Sequence, residues 1–163
     1  MDHFALPEDA LAISRKQGEL HRNFMGYTEK RTDIMIGLGV SAISESPTCF
    51  HQNEKILPVY ERRLDQGEIP TLRGHLLSPE DVADREQILE FMTKSEVTLR
   101  DQAQVEDIKE FLKSLIADGL VEIEGQKLRM SHLGRPFLRN ACMALDRRLR
   151  RHKPEAQVFS SAM

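Results

Sequence analysis

The chain has 163 residues, a formal charge of -3, 40% hydrophobic residues and 30% charged residues, with a mean hydropathy of -0.45. This length is typical of one domain that buries roughly two-thirds of its unfolded surface. The composition excludes a disordered chain, and no apolar run approaches the roughly 20 residues of a membrane helix. The start Met1-Asp2-His3 lacks the basic residues of a secretory signal, so we expect a cytoplasmic protein without a membrane partner.

The cysteines and histidines predict no metal centre. Cys49 and Cys142 are far apart in the sequence, which provides neither a disulfide framework nor a metal-ligand spacing. We interpret both as buried free thiols. The six histidines are scattered, and neither His-x-x-x-His nor Cys-x-x-Cys occurs, so we expect no metal bound by this chain alone.

The first part of the chain predicts one helix and one strand. The helix covers Pro7 to Lys16, because proline suits a first turn and Gly18 follows as a stop. The segment from Ile34 to Ser44 contains too much glycine for a helix and predicts a strand.

The second part predicts four helices and a hairpin. The hairpin joins Leu120–Glu124 to Lys127–Met130 around Gly125-Gln126. Helices that lead into a hairpin favour a winged-helix-like module at about residues 104–151. The helices are predicted from Leu57 to Gln66, from Ser78 to about Met92, along the apolar face Ile108, Phe111, Leu112, Leu115 and Ile116, and along the last stripe Leu138, Ala141, Cys142, Leu145 and Leu149.

The end of the chain is basic. From Arg135 to Lys153 there are seven Lys or Arg residues and one acid, Asp146. A winged-helix regulator that binds nucleic acid through this helix is one hypothesis. The helix before the hairpin is acidic, so we favour a solvated face or a docking surface for an acidic neighbour and expect no nucleic-acid partner. Its acids are Glu106, Asp107, Glu110 and Asp118.

The glycine-rich segment carries too few glycines for a phosphate loop, since Gly37 and Gly39 lack a third partner. In a strand its side chains would alternate between two faces. Bare backbone in a strand marks either the close approach of a ligand or tight packing, and both interpretations stay open. The apolar face would carry Ile34, Ile36, Leu38, Val40 and Ala42, and the bare face Met35, Gly37, Gly39, Ser41 and Ile43.

A series of short motifs resembles the oxygen-independent coproporphyrinogen III oxidases, in that family's order and spacing. The densest are Met1-Asp2-His3-Phe4-Ala5, His21-Arg22-Asn23-Phe24, Gly26-Tyr27-Thr28 and Gly37 to Ser44. Shorter pieces follow: Gln52-Asn53, Arg73-Gly74, Leu77-Ser78, Asp118 to Val121, Leu133-Gly134-Arg135 and Arg139-Asn140. Met25 stands where the family usually has Gln, Asp33 falls one place early, and the stretch from Phe91 to Asp107 is short, which leaves the substrate detail open.

The resemblance implies a fold and an activity. Family members decarboxylate coproporphyrinogen III oxidatively to protoporphyrinogen IX, with S-adenosylmethionine bound to a [4Fe–4S] cluster. The implied fold is α+β and mainly helical: residues 1–46 would be the last elements of a partial β/α barrel, and residues 47–163 a helical C-terminal domain. The cluster-binding Cys-x-x-x-Cys-x-x-Cys of the family is absent from the sequence. We therefore expect this chain to be the C-terminal part of the enzyme, inactive alone and partnered by a radical domain from the same chain or a split gene.

The resemblance also assigns the candidate site residues. It implies that Ile43 contacts S-adenosylmethionine, with Ser41 and Ala42 as neighbours by inference, and it implies no catalytic or metal-binding residue here. In the full enzyme the chain would shape and cover the active site. A stand-alone relative that lacks the cofactor and acts as a binding protein is a third hypothesis.

Overall fold

The computed structural model describes residues 4–151, which form helices and strands in two compact units. Unit 1 extends to Val82, and unit 2 begins at Ala83. The mixture of helices and strands agrees with the predicted α+β class. Within residues 4–151, no helix is long and apolar enough to cross a membrane.

Unit 1 consists of short antiparallel strands and two helices. Strands β1 and β2 form a hairpin, and β3, β4 and β5 form a second sheet in that order. The predicted domain boundary near residue 46 falls between β3 and β4, which pair with each other in this unit. The elements are α1 Ala10–Gln17, β1 His21–Asn23, β2 Gly26–Thr28, β3 Ile43–Glu45, β4 Cys49–Asn53, α2 Leu57–Asp65 and β5 Thr71–Leu76.

The predicted strand from Ile34 to Ser44 is wrong over most of its length. Only Ile43–Glu45 is a strand, and Met35 forms an isolated bridge with Glu45. Gly39 and Ser41 have positive φ angles of 103° and 59°, which a β-strand does not contain. The chain therefore turns back on itself, and we call residues 37–42 the glycine loop.

Unit 2 consists of helices around a three-stranded antiparallel sheet in the order β6-β8-β7. The predicted hairpin is present, with Val121 opposite Met130. The predicted helix around Ile108 is divided at Leu112, and the last helix is divided between Cys142 and Arg147. The elements are α3 Pro79–Lys94, which begins at the end of unit 1, β6 Glu96–Thr98, α4 Gln102–Phe111, α5 Lys113–Ala117, β7 Val121–Glu124, β8 Lys127–Met130, a 3-10 turn Arg135–Phe137, α6 Leu138–Cys142 and α7 Arg147–Arg151.

The hydrophobic core belongs to unit 2. The apolar faces of α3, α4 and the hairpin meet there because each carries large side chains with helical or alternating spacing. The fully buried side chains include Phe91, Leu99, Ile108, Leu112, Leu128 and Leu145.

A cluster of charged side chains links separate segments of the same unit. The Asp84 carboxylate is 5% exposed and accepts hydrogen bonds from Arg147 at 2.7 to 3.0 Å and from Arg100 at 2.8 Å. A buried carboxylate requires such partners, because desolvation without them is costly. The cluster joins α3, the segment before α4, and α7.

Candidate functional site

A pair of backbone hydrogen bonds brackets the glycine loop. Met35 N–H donates to the Glu45 carbonyl at 2.8 Å, and Glu45 N–H donates to the Met35 carbonyl at 2.9 Å. Between these residues the chain reverses its direction, with positive φ angles at Gly39 and Ser41. Gly39 suits its angle, whereas Ser41 adopts a left-handed conformation that L-residues other than glycine rarely populate.

Gly37 is required by close backbone packing. A Cβ atom there would lie 2.5 Å from the Ile43 carbonyl oxygen and 3.0 Å from the Ala42 Cβ. At Gly39 a Cβ would meet nothing within 4 Å, although its φ of 103° favours glycine. The two interpretations of the bare backbone, tight packing and close approach of a ligand, therefore apply to different glycines. Gly37 serves close packing, while the space beside Gly39 is open.

Side chains hold the backbone of the loop. The Asn53 amide donates to the carbonyl oxygens of Gly37 at 3.3 Å and of Gly39 at 2.9 Å. The Gly37 N–H donates to Ser44 Oγ at 3.0 Å, and the Gly39 N–H donates to the Tyr60 hydroxyl at 3.2 Å. Asn53 and Ser44 are buried, so these bonds are shielded from water and define the shape of the loop.

The predicted site residues Ser41, Ala42 and Ile43 lie where this loop enters β3. Ser41 is exposed, and its N–H donates to the Glu54 carbonyl at 2.6 Å. The Ala42 carbonyl accepts from the Asn53 N–H at 2.9 Å. Ile43 is half-buried and pairs with Gln52.

The position of Ile43 differs from the expectation in one respect. It is the first residue of β3 and not the end of a long strand. The glycine loop precedes it and Gly37 packs on its carbonyl. The glycine loop therefore packs directly against the backbone of Ile43.

The β1–β2 hairpin is fixed to the strand that carries Ile43. The Asn23 side chain accepts from the N–H groups of Met25 at 2.9 Å and Gly26 at 3.2 Å, which forms the turn. The Phe24 N–H donates to Glu45 Oε2 at 2.9 Å. Phe24 and Met25 are exposed at this turn. Glu45, the residue that accepts from Phe24, lies two residues after Ile43 in β3.

Asn53, Tyr60 and Glu45 had no predicted role. Gln52-Asn53 is one of the motifs that resemble the family, but nothing in its spacing indicates that an amide on β4 holds a loop more than ten residues earlier. Only the pairing of β3 with β4 brings these residues together.

The part of the chain that the structure describes does not fit an iron–sulfur cluster. Among residues 4–151, no group of three or more His, Cys, Asp or Glu side chains could hold a metal ion. Neither cysteine forms a disulfide, and the two lie in different units, Cys49 in β4 and Cys142 in α6. The open space beside Gly39 and the apolar Ile43 are compatible with a small organic ligand approaching the backbone.

The basic helix α7 pairs with acidic neighbours in its own unit. Arg147 binds Asp84, and Arg150 binds Asp107 through two bonds of 2.6 Å. These bonds hold the pKa of the Asp107 carboxyl below its ordinary value and raise the pKa of Arg150. Arg150 also lies 4.8 Å from the Phe111 ring centre. Two arginines of the helix are thereby engaged in packing, which argues against a nucleic-acid interface.

Comparison with known proteins identifies relatives along nearly the whole chain. No protein-family model matches. The oxygen-independent coproporphyrinogen III oxidase of Escherichia coli is 36% identical over 98% of this chain, that of Synechocystis 34% over 100%, and that of Helicobacter pylori 36% over 92%. The solved structure of the Escherichia coli coproporphyrinogen III oxidase, described as a radical SAM enzyme, matches with a TM-score of 0.83 and 34% identity over 91% of this chain.

These findings confirm the resemblance inferred from the motifs. The chain spans 37% of the length of the Escherichia coli relative, 38% of the Synechocystis relative, and 36% of the solved chain. It therefore corresponds to a part of these enzymes.

Proposed function

We propose that this chain is the C-terminal portion of an oxygen-independent coproporphyrinogen III oxidase, a cytoplasmic oxidoreductase of haem biosynthesis. The observation that supports this proposal most strongly is the similarity over 98% of the chain to a coproporphyrinogen III oxidase. The reaction is the oxidative decarboxylation of coproporphyrinogen III to protoporphyrinogen IX. S-adenosylmethionine and a [4Fe–4S] cluster supply the radical chemistry when bound in the full enzyme, and this portion shapes and covers the active site.

The exposed apolar side chains of unit 1 support this proposal. Exposure alternates along residues 34–40, with each aliphatic side chain facing outward. Leu38 is 89% exposed. Burying such a side chain is worth about 1.5–3 kcal/mol, so a row of four favours contact with another part of the enzyme. The row consists of Ile34, Ile36, Leu38 and Val40.

In this proposal the other elements of the catalytic barrel cover that row. Residues up to about 46 form the last elements of the catalytic barrel, and residues from about 47 onward form the C-terminal domain. The β7–β8 hairpin, which follows α4 and α5 in the sequence, is the wing of a winged-helix-like packing module. That module binds no DNA, because its basic helix is paired with Asp84 and Asp107.

Ile43 contacts S-adenosylmethionine in the same proposal, with Ser41 and Ala42 beside it. A half-buried apolar side chain such as that of Ile43 can cover part of the adenine or methionine surface. An aspartate there would be desolvated without a partner. The chain's own contribution is therefore binding and orientation, and no residue of the chain exchanges a proton with the substrate.

The test uses Ile43→Ala and Ile43→Asp in the full-length enzyme that contains this segment. We expect weaker S-adenosylmethionine binding in both, with the aspartate variant worse by about tenfold or more. Ile69, which is 79% exposed in the loop before β5, provides matched control variants Ile69→Ala and Ile69→Asp. If the Ile43 variants fold normally and match the wild type in affinity and turnover, the site assignment is wrong.

A second test addresses the division of labour between the parts of the enzyme. The 163-residue polypeptide contains two cysteines, whereas the family motif supplies three cluster ligands. Anaerobic reconstitution with iron and sulfide should yield no stoichiometric cluster and no decarboxylase activity. Cluster-type visible absorption at one cluster per chain would overturn this expectation.

A further inference from the structure

We propose that Asn53 is a positioning residue that fixes the glycine loop and, through it, the direction of the Ile43 side chain. This inference rests on the proposed contact between Ile43 and S-adenosylmethionine. Asn53 does not touch the ligand. It acts through the backbone of residues 37–42.

The hydrogen bonds around the two glycines carry the proposal. Both carbonyl oxygens, of Gly37 and Gly39, accept from the single Asn53 amide nitrogen. The two N–H groups of the same glycines donate to hydroxyl oxygens, those of Ser44 and Tyr60. Each glycine is thus held by one donor and one acceptor from side chains of the following elements. The loop has no regular secondary structure, so these bonds replace the ladder that a strand would have.

Asparagine is suited to this role. Its side-chain nitrogen carries two N–H donors, which matches two carbonyl acceptors. Asn53 is 6% exposed, so water competes weakly for these bonds. Its backbone N–H also donates to the Ala42 carbonyl. A single residue therefore contacts the beginning, the middle and the end of the loop.

The loop transmits this restraint to Ile43 by contact. Gly37 lies against the Ile43 carbonyl so closely that no Cβ fits between them. Ser41 holds a left-handed φ of 59° two residues before Ile43, a conformation that persists only where the surroundings enforce it. Loss of the Asn53 amide would leave the carbonyl oxygens of Gly37 and Gly39 without their shared donor and would loosen the backbone that packs against Ile43. The first residue of β3 would then sample other orientations.

The experiment compares Asn53→Asp with wild type in the full-length holoenzyme. Aspartate has nearly the same shape, but its carboxylate cannot donate to the two carbonyls. Asn140→Asp is the matched control, since Asn140 is exposed in α6 and the charge change is the same. Tyr60→Phe is a milder second variant that removes only the acceptor of the Gly39 N–H.

Two measurements distinguish the positioning role of Asn53 from the proposed contact between Ile43 and S-adenosylmethionine. The first is the Ile43 methyl signal in methyl-labelled holoenzyme without S-adenosylmethionine, and the second is the dissociation constant for S-adenosylmethionine. We expect Asn53→Asp to shift or broaden the methyl signal and to weaken binding about tenfold, with about threefold for Tyr60→Phe. Turnover at saturating S-adenosylmethionine should fall less than affinity does.

The outcomes are distinguishable. An unchanged Ile43 signal in a folded Asn53→Asp enzyme overturns the positioning role, whatever the affinity. A changed Ile43 signal with unchanged affinity upholds the restraint on Ile43 and overturns its proposed contact with S-adenosylmethionine. An equal loss in Asn140→Asp would show a general charge effect and also overturn the proposal. If Asn53→Asp does not fold, Tyr60→Phe decides by the same two readouts.

Discussion

Side chains buried in unit 2 are mainly aliphatic and aromatic, whereas those buried in unit 1 are mainly polar. Across residues 4–151, every buried Ala, Val, Ile, Leu, Met, Phe or Cys lies between Phe91 and Leu145. The buried residues of unit 1 are Ser14, Gly26, Ser44, Asn53, Glu54 and Pro70. The difference teaches that the units rely on different forces, since apolar burial is the main stabilising term for a domain.

Unit 1 is shaped by hydrogen bonds and ion pairs whose net contribution is small. A typical hydrogen bond adds only about 0.5–1.5 kcal/mol net. Arg63, for example, lies 3.3 Å from buried Glu54 and donates to the Thr71 carbonyl, which holds α2 against β5. Such contacts define a geometry but supply little of the driving force. The proposed covering of Ile34, Ile36, Leu38 and Val40 by the rest of the enzyme would supply it.

The largest expected effect is a difference in hydrogen exchange between the units. In the 163-residue polypeptide, core amides of unit 2 such as Leu99, which donates to the Gln126 carbonyl, should open at about 5 kcal/mol or more. Amides of Gly39 and Ser41 in unit 1 should open below about 2 kcal/mol. In the full-length enzyme the difference in opening free energy between the two units should be smaller. Equal protection of both units in the isolated polypeptide would contradict the comparison.

A matched pair of leucines tests the same difference by mutation. Leu128→Ala removes a fully buried side chain of unit 2 and should lower the free energy of unfolding by about 2–5 kcal/mol. Leu38→Ala removes a side chain that is 89% exposed and should change it by about 0.5 kcal/mol or less in the isolated polypeptide. Urea denaturation measures both. A large loss of unfolding free energy in Leu38→Ala would mean that the exposed apolar row of residues 34–40 is already covered within the isolated polypeptide.

The start of α3 and much of unit 2 could be predicted from the sequence because their signals are local. Ser78 and Asp81 satisfy each other as a cap, with bonds of 2.9 and 3.2 Å, and the helix begins at Pro79. The turn at Gly125 joins two strands of four residues each, close to their predicted limits. A cap or a tight turn needs no distant partner, so its sequence signature is sufficient.

The glycine loop could not be predicted because its shape depends on residues that follow it. The alternation of apolar residues and glycine along residues 34–44 is typical of a strand. The exposure of these side chains does alternate, but the chain turns at Gly39 and Ser41. That turn depends on Asn53 and Tyr60, which lie more than ten residues later. The family resemblance predicts a role for Ile43, whereas no sequence feature predicts the hydrogen bonds by which Asn53 holds the loop before it.

A carboxylate pair compares buried and exposed charges within unit 2. Asp84→Asn leaves Arg100 and Arg147 without their shared anion, and should cost about 3 kcal/mol because the carboxylate site is buried. Asp107→Asn makes the same chemical change where the side chain is 50% exposed, and should cost about 1 kcal/mol or less. Thermal and urea unfolding measure both variants. Equal costs would show that burial does not decide the strength of these pairs.

The smallest expected effect is the pH dependence of the pair between Asp107 and Arg150. The hydrogen bonds from Arg150 lower the Asp107 pKa in the folded chain, whereas the unfolded chain has the ordinary value of about 3.9. A lowered folded pKa means that the stabilisation is complete above the unfolded value and is lost as the pH falls through the folded value.

The stability difference between wild type and Asp107→Asn should therefore persist from pH 7 to about pH 5, decline below the unfolded pKa of about 3.9, and disappear once the pH falls below the lowered pKa of the folded chain. Urea unfolding at a series of pH values measures that difference. Its size should stay at or below about 1 kcal/mol, because the carboxylate is half exposed and screened by water. Glu96→Gln is the comparison variant. The Glu96 pKa is lowered mainly by Lys127 and also by Arg129, so its profile should have the same direction. A stability difference at Asp107 that grew on acidification would contradict the assignment of this ion pair.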